Sequence, residues 1–279
     1  MTSLKQDFPP LPEALPAPVV DNHCHLDIVR EGHEVLDPVD ALTRAASVGV
    51  TRIVQIGCDL PSARWAVEAA RTHDSVIAGV ALHPNDAPWH RDLDAAIAEI
   101  EALATAHEKV RVIGETGLDF FRTGDDGRAA QEESFRRHID LAIRLDKTLQ
   151  IHDRDAHDAV LDVLDQVGTP DRWVMHCFSG DADFAKRCLD RGAYLSFSGT
   201  VTFGNAGDLR EALAITPKDR ILVETDAPFL TPTPHRGKTN SSYLIPLTVR
   251  AMATVRGADL EELCLQINAN TEAAFGGTW

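Results

Sequence analysis

The chain has 279 residues, of which 44% are hydrophobic and 25% are charged, proportions that are ordinary for a soluble globular protein. Its 43 acidic and 27 basic residues give a formal net charge of −16, so it should repel nucleic acid at long range, and any activity on nucleic acid would need a locally positive site. No apolar run reaches the ~18 residues that a membrane-spanning helix needs, so no membrane partner is expected.

The start of the chain and its cysteines bear on location and domain organisation. Residues 1–18 are rich in proline and lack the basic and apolar regions of a secretory signal. The five cysteines include no CxxC pair, which suits a reducing cytoplasm rather than a disulfide framework or a structural zinc site. We therefore predict a cytoplasmic protein with a Pro-rich lead-in over residues 1–18 and a single domain over residues 19–279.

Strand-like and helix-like runs alternate along the rest of the chain. The strand-like runs are residues 19–27, 51–57, 75–84, 110–119, 148–156, 172–180, 193–203 and 220–230. The helix-like runs are residues 37–48, 62–72, 93–106, 128–145, 157–166, 183–190, 208–214, about 242–256 and 259–275. Short apolar runs bounded by turn residues are typical of parallel strands buried on both faces. Eight such units predict an α/β fold of the TIM (β/α)8 barrel type, with a doubly wound sheet as the alternative.

Residue types that bind metals collect at the downstream ends of five of these strands. They are His23, His25, Glu115, His152, His176 and Asp226. Active sites of TIM barrels lie at that end of the barrel. Side chains alternate along a strand, so His23 and His25 share a face, and a divalent ion would satisfy both imidazoles. Hydrogen-bonded core histidines, and an arginine partner for Glu115, are the structural alternatives at single positions, but the combined set favours a metal site.

Several longer motifs carry a resemblance to a known family. They read DNHCHLD, GETGLDFF, QIHDRDAHDAVL, HCFSG, SFSGTVTF, ILVETDAPFLTPTPHRGK and NANTEAAF. From about Val20 to Phe275 the chain resembles the TatD family of metal-dependent hydrolases, which are described as deoxyribonucleases with exonuclease activity. The resemblance implies two divalent ions, one held by His23, His25 and Asp226 and the other by His152 and His176, with Glu115 bridging. The loop TNSSY departs from the family pattern, where a proline-containing turn is expected.

The chemistry of these residues agrees with that implication. Mixed imidazole and carboxylate ligands suit Zn, Mn, Fe or Ni better than Ca, and leave Mg possible. Two ions about 3.5–4 Å apart can hold a hydroxide and clamp the attacking and leaving oxygens of a phosphodiester. Asp226 is the candidate general base, with Glu115 as its catalytic partner. Two carboxylates and two divalent ions leave a local charge of +2, which can bind phosphate.

Other residues near the strand ends are candidates for supporting roles. Arg154, Arg236 and His83 are the candidate substrate contacts, although a solvated loop or turn role is the alternative for each. Glu224 and Asp21 share faces with predicted ligands by alternation, so we expect them to orient those ligands. Phe120, Phe121, Phe178 and Phe229 could stack on bases, but we expect at least half of them to be core. The remaining histidines, among them His33 and His138, are expected to be solvated.

The sequence therefore predicts a metal-dependent hydrolase that acts on DNA, with single-stranded or frayed ends as substrate and no obligate protein partner. The expected cofactors are two divalent ions, Zn, Mn, Mg or Ni. A barrel of this type hosts many chemistries, so hydrolysis of another ester, an amide or a phosphoester, for example an aminoacyl-tRNA ester, is the alternative. A catalytically silent binding protein is the third possibility. Serine-hydrolase, dinucleotide and P-loop motifs are absent from the sequence.

Overall fold

Eight parallel strands follow one another around a single sheet in chain order. The computed structural model describes residues 8–30, 36–277 and 279. The strands are β1 (Val19–Cys24), β2 (Val50–Gly57), β3 (Val76–Val80), β4 (Val110–Asp119), β5 (Thr148–Arg154), β6 (Trp173–Met175), β7 (Tyr194–Phe197) and β8 (Ile221–Val223). Each neighbouring pair from β1 to β8 is parallel.

Helices connect the strands and cover the outside of the sheet. They are α1 (Pro38–Ser47), α2 (Leu60–Thr72), α3 (Leu93–Ala104), α4 (Asp125–Arg144), α5 (His157–Val167), α6 (Ala182–Leu189), α7 (Gly207–Ile215), α8 (Ile245–Arg256) and α9 (Leu260–Phe275). Five helices begin at an aspartate whose side chain accepts a hydrogen bond from a first-turn N–H group: Asp37, Asp59, Asp92, Asp181 and Asp259. Such caps satisfy N–H groups that have no partner within the helix.

The sheet closes where β8 meets β1. The main-chain N–H of Asp226 donates to the carbonyl of His23 at 2.9 Å, and the N–H of His25 donates to the carbonyl of Ala227 at 2.8 Å. Cys24 and Ala227 form a parallel bridge at the same point. The predicted TIM barrel is therefore confirmed and the doubly wound alternative is wrong. Closure also sets Asp226 beside His23 and His25.

Apolar residues fill the barrel and the layer between barrel and helices. The interior cluster contains Val20, Val54, Ile77, Val112 and Leu222 from five strands. The larger cluster joins the strands to the helices, and it includes Leu15 and Ala17 of the Pro-rich lead-in. The main-chain N–H of Leu15 donates to the carbonyl of Val48 at 3.0 Å. The described part of the lead-in thus packs on the barrel.

Two β-bulges interrupt the alternation of side chains at ligand positions. On β1, Asp21 pairs with Ile53 and Cys24 pairs with Gln55, so β1 carries one extra residue there. On β4, the span from Ile113 to Thr116 faces only the span from Leu149 to Ile151. A bulge re-aims the residues inside it. The metal-ligand candidates His23 and Glu115 lie in these two bulges.

One prediction about the histidines is wrong. His138 of α4 is fully buried rather than solvated, and its Nε2 accepts from the N–H of Leu82 at 3.1 Å. Burial lowers the pKa of this imidazole to about 4, so it stays neutral in the core. His33 and the first seven residues of the lead-in lie outside the described residues. None of the described helices is long and apolar enough to span a membrane.

Candidate metal centre

Four ligand atoms from β1, the residue that follows it, β4 and the loop after β8 converge at one point. His23 Nε2 lies 3.2 Å from His25 Nε2 and 3.3 Å from Glu115 Oε2. Asp226 Oδ1 lies 3.4 Å from His25 Nε2 and 3.8 Å from His23 Nε2. Four ligands arranged tetrahedrally about 2.1 Å from an ion stand about 3.4 Å apart. The donor set and spacing of this first group therefore fit one small divalent ion.

A second group forms around the other oxygen of the same carboxylate. Glu115 Oε1 lies 2.7 Å from His152 Nδ1, 3.0 Å from His176 Nε2 and 3.2 Å from His83 Nε2. The His176 ring also stacks on the His23 ring, with centroids 3.9 Å apart, which joins the two groups. Glu115 therefore presents one oxygen to each group, as a bridging carboxylate would.

The far nitrogen of each β1 histidine has a partner that only accepts. His23 Nδ1 lies 2.8 Å from Gln150 Oε1, and Gln150 Nε2 donates to the carbonyl of Asn22 at 2.7 Å, which fixes the amide orientation. His25 Nδ1 lies 3.0 Å from the carbonyl oxygen of Ile56. Both Nδ1 atoms therefore carry a proton. Each Nε2 is left with the lone pair that a metal needs.

The two histidines of the second group are oriented by carboxylates. His176 Nδ1 lies 3.1 Å from Glu224 Oε1. His152 is turned the other way, with Nε2 lying 3.3 Å from Asp119 Oδ2 and Nδ1 facing Glu115. Carboxylate partners of this kind fix the tautomer and raise the basicity of a histidine ligand. The geometry offers His176 through Nε2 and His152 through Nδ1.

Charge at the site is balanced between carboxylates and imidazoles. Burial opposes ionisation of Glu115, yet the neighbouring imidazoles, His176 foremost, hold its pKa well below the usual range. Burial also opposes ionisation of Asp226, but its contact with His25 lowers the pKa. Burial disfavours charge on His176, whereas Glu115 and Glu224 raise its pKa well above the usual value. A histidine ligand must be deprotonated at the nitrogen that binds the ion, so metal binding must displace any proton held there.

Residues of both groups line a cavity of about 660 Å³, with His23 buried behind them. This volume lies within the range of pockets that bind small molecules. His83, Arg122, Arg154 and Phe229 also line it. The cavity therefore brings two basic side chains to the predicted metal ligands, within an otherwise acidic protein.

The predicted substrate contacts differ in their placement. Arg154 lines the cavity, and its guanidinium lies 3.9 Å from the centre of the Phe121 ring. His83 lines the cavity beside Glu115. Arg236 is exposed in the loop after β8 and packs 3.9 Å above the ring of Phe203, and it is not among the described residues of the cavity wall.

The four phenylalanines divide as the sequence suggested. Phe178 is buried, and Phe120 is half-buried under the guanidinium of Arg128. Phe121 and Phe229 are 63% and 40% exposed, enough to offer a ring face to a ligand. Phe229 also contacts the His25 ring edge-on, with centroids 6.5 Å apart.

Glu224 and Asp21 occupy different positions relative to the ligands. Glu224 is fully buried against His176. Asp21 contacts Thr225, accepting from its hydroxyl at 2.5 Å and its N–H at 2.9 Å. Burial raises the pKa of Asp21 to about 7 despite these donors. Because of the bulge in β1, Asp21 holds the chain next to Asp226 rather than orienting the side chain of His23.

Sequence reasoning missed three residues that support the ligands. Gln150 and Asp119 hold His23 and His152, and Asn85 Nδ2 donates to Asp119 Oδ2 at 2.9 Å. A signal was available for Gln150, since it precedes His152 by two residues and alternation puts both side chains on one face. Asp119 ends β4 beside His152 on the paired strand β5, so its contact depends on the register of two strands, while Asn85 reaches Asp119 from the loop after β3.

Asn240 in the TNSSY loop forms hydrogen bonds with the segment that carries Asp226. Its Nδ2 donates to the carbonyls of Thr225 at 3.0 Å and Phe229 at 2.6 Å. Its own N–H donates to the carbonyl of Pro228 at 3.2 Å. The segment that departs from the family pattern therefore has a structural role at the mouth of the site.

Comparisons with a family model and with known sequences identify the same protein family. The family model described as TatD related DNase matches residues 20–276. The chain is 48% identical over 266 residues to the uncharacterized metal-dependent hydrolase TatD of Mycobacterium tuberculosis, covering 94% of this chain and 99% of that one. It is 37% identical over 258 residues to the uncharacterized metal-dependent hydrolase YcfH of Escherichia coli, covering 92% and 95% of the two chains.

Solved structures agree with the sequence matches. The chain superposes on YjjV, a TatD homolog from Escherichia coli, with a TM-score of 0.85 and 26% identity, over 93% of this chain and 98% of that one. A TatD family hydrolase from Entamoeba histolytica gives a TM-score of 0.83 at 18% identity, over 96% and 100% of the two chains. The second likeness concerns the fold alone.

Proposed function

Because this chain belongs to the TatD-related DNase family of metal-dependent hydrolases, we propose that it is a deoxyribonuclease that removes nucleotides from the ends of DNA. The carrying observation is the carboxylate of Glu115, whose two oxygens face two separate groups of imidazoles at the base of one cavity. That arrangement supports a two-metal hydrolase. Zn, Mn, Mg and Ni are the candidate ions, because nitrogen and oxygen donors are mixed.

Two ions held at this site would polarise a phosphoryl oxygen and make bound water acidic enough to attack phosphorus. Six side chains of the protein would hold them: His23, His25 and Asp226 on one side, His152 and His176 on the other, and Glu115 between. Gln150, Glu224 and Asp119 would keep three of the ligand atoms aimed inward. The chain's own contribution is a preorganised set of donors that needs no rearrangement during the reaction.

Asp226 is the residue proposed to take the proton that water loses. Its side chain is 17% exposed, against 5% for Glu115, so it is the more accessible of the two carboxylates. Its backbone lies in the left-handed region, with φ of 55°, a conformation that Asp and Asn tolerate better than other side chains. Asn at this position therefore keeps the turn and removes the basic oxygen.

The substrate contacts proposed for DNA combine charge with stacking. Arg154 and Arg122 line the cavity and would meet phosphate. The exposed rings of Phe121 and Phe229 offer faces to bases, and stacking of this kind does not depend on sequence. Moving a base out of a stack costs least at a single-stranded end, so we propose single-stranded or frayed DNA ends as the substrate. The five thiols, all free in the structure, suit the cytoplasm as the proposed location.

The test uses protein reconstituted with Mg, Mn or Zn and single-stranded DNA labelled at either end. We expect metal-dependent release of mononucleotides, and the label that is lost first gives the polarity of attack. The matched control is Asp226→Asn, which should lower the rate about 10²–10⁴-fold while retaining the fold and most of the metal. A variant with near-native rates would refute the role of Asp226. Two bound ions with no DNA cleavage would redirect the assignment to another ester or amide.

A further inference from the structure

His83 differs from the other four histidines of the site in its hydrogen bonds. The main-chain N–H of Asn85 donates to His83 Nδ1 at 3.0 Å. An N–H group cannot accept, so His83 Nδ1 keeps its lone pair and the proton of the neutral ring lies on Nε2. This is the reverse of His23, His25 and His176, whose Nδ1 atoms face acceptors.

The tautomer decides what His83 can do. Its Nε2 faces Glu115 Oε1 at 3.2 Å, and it belongs to the metal-sized group of His83, Glu115 and His152. To bind a metal through Nε2, the ring would need its proton on Nδ1, against the N–H of Asn85. That N–H belongs to the main chain and is fixed by the turn that follows β3, in which the N–H of Asp86 donates to the carbonyl of His83 at 2.8 Å. His83 is therefore a donor beside the metal site rather than a ligand.

His83 and Asp226 lie by different oxygens of the Glu115 carboxylate. His83 approaches Glu115 Oε1, whereas Asp226 Oδ1 lies with His23 and His25 beside Glu115 Oε2. The proposed base and this donor thus stand on opposite sides of the bridging carboxylate. In phosphoryl transfer the attacking and leaving oxygens lie roughly in line through phosphorus. A group opposite the base is placed to meet the leaving oxygen.

We propose that His83 Nε2–H donates a hydrogen bond to the oxygen that leaves when the phosphodiester is cut; this rests on the proposed function. Water adds to phosphorus and loses a proton to Asp226. The P–O bond to the leaving nucleoside breaks, and its electron pair stays on that oxygen. The hydrogen bond from His83 stabilises the charge there until the oxygen takes a proton from solvent, and Asp226 returns its proton to solvent. The phosphate and the nucleoside hydroxyl then leave, and one water has been consumed.

The experiment compares His83→Ala with the wild type on two substrates. One is a thymidine dinucleotide, whose leaving alkoxide is strongly basic. The other is the p-nitrophenyl ester of thymidine phosphate, whose weakly basic phenolate departs without help. Loss of a single transition-state donor costs about 10²–10³-fold in kcat. We expect a loss of that size on the dinucleotide, a change of less than about threefold on the aryl ester, and partial recovery of the dinucleotide rate in His83→Gln.

Metal content measured by mass spectrometry supplies a readout that does not depend on turnover. We expect His83→Ala to hold as many ions as the wild type. The control is His90→Ala, which removes a histidine of the same loop that pairs with Asp86 outside the cavity, and it should match the wild type in every assay.

Three results would overturn the inference. Loss of an ion would make His83 a ligand, equal losses on both substrates would make it a phosphate contact, and unchanged rates would leave it no role. These failures appear only in the variant. A wild type that holds two ions and cleaves neither substrate would instead refute the proposed function, and the role of His83 with it.

Discussion

At the scale of single residues, the site depends on where each ring proton sits. Gln150, Ile56 and Glu224 accept from Nδ1 of three histidines, Asp119 accepts from Nε2 of the fourth, and Asn85 donates to the fifth. Five similar side chains are thereby divided into four candidate ligands and one donor. The atoms that make this division are a side-chain amide, two carboxylates and two main-chain groups.

The amide of Gln150 gives a test of this division. Replacing Gln150 by Leu removes the acceptor for His23 Nδ1 and leaves the His23 tautomer unconstrained. Loss of such a supporting contact typically costs 10–100-fold in metal affinity. We expect that loss for the ion at His23 and His25, measured by chelator competition, with little change at the other ion.

The control for Gln150→Leu is Gln166→Leu, the same substitution at a residue of α5 that contacts Arg136 on the surface. It should leave the affinity of both ions unchanged. Equal weakening of both ions in Gln150→Leu, or of neither, would contradict the assignment of the His23 tautomer to Gln150.

At the scale of elements, the two bulges explain what pattern reasoning could and could not supply. Alternation of apolar runs gave eight strands and their helices, because buried parallel strands are short and apolar throughout. It also placed the ligand types at the carboxyl ends of the strands. It could not give the extra residue in β1, which separates Asp21 from His23. Counting every second residue predicts which face a side chain lies on only in a regular strand. A bulge adds one residue to one strand, and the prediction then fails for the residues beyond it.

The pairing of β4 with β5 yields an element-scale prediction. Gly117 has φ of +139°, and a Cβ added there would lie 2.0 Å from the carbonyl oxygen of its partner His152. In Gly117→Ala the two strands must separate at His152. We expect the ion at His152 and His176 to be lost on dialysis while the ion at His23 and His25 remains. Backbone strain of this kind costs about 1–3 kcal/mol, so the melting temperature should also fall.

The control for Gly117→Ala is Gly204→Ala, since a Cβ at Gly204 meets no atom of the described residues within 4 Å. Metal content and scanning calorimetry should show no change in that variant. Retention of both ions by Gly117→Ala would mean that His152 does not depend on its pairing with β4.

At the scale of the whole molecule, an acidic protein carries a site suited to a polyanion. The net charge of −16 follows from the sequence alone, and so does the expectation that long-range forces oppose DNA. This long-range repulsion is opposed locally, because Arg122 and Arg154 line the cavity together with predicted metal ligands. Composition could not reveal this, because only the closed barrel brings side chains from distant strands to one mouth.

Long-range repulsion by the acidic surface and local attraction in the cavity together predict an unusual salt dependence. Screening acts over about 30 Å at 0.01 M salt but only about 10 Å at 0.1 M, so added salt should first remove the repulsion between DNA and the acidic surface. We expect kcat/KM on single-stranded DNA to rise between 10 and 100 mM KCl, at fixed divalent ion. The aryl ester of thymidine phosphate, with a single charge, should change little and serves as the control. Nucleic-acid binding that is driven by a basic surface falls steeply with salt instead, and a fall of that kind here would place the dominant DNA contacts on a positive surface beyond the cavity.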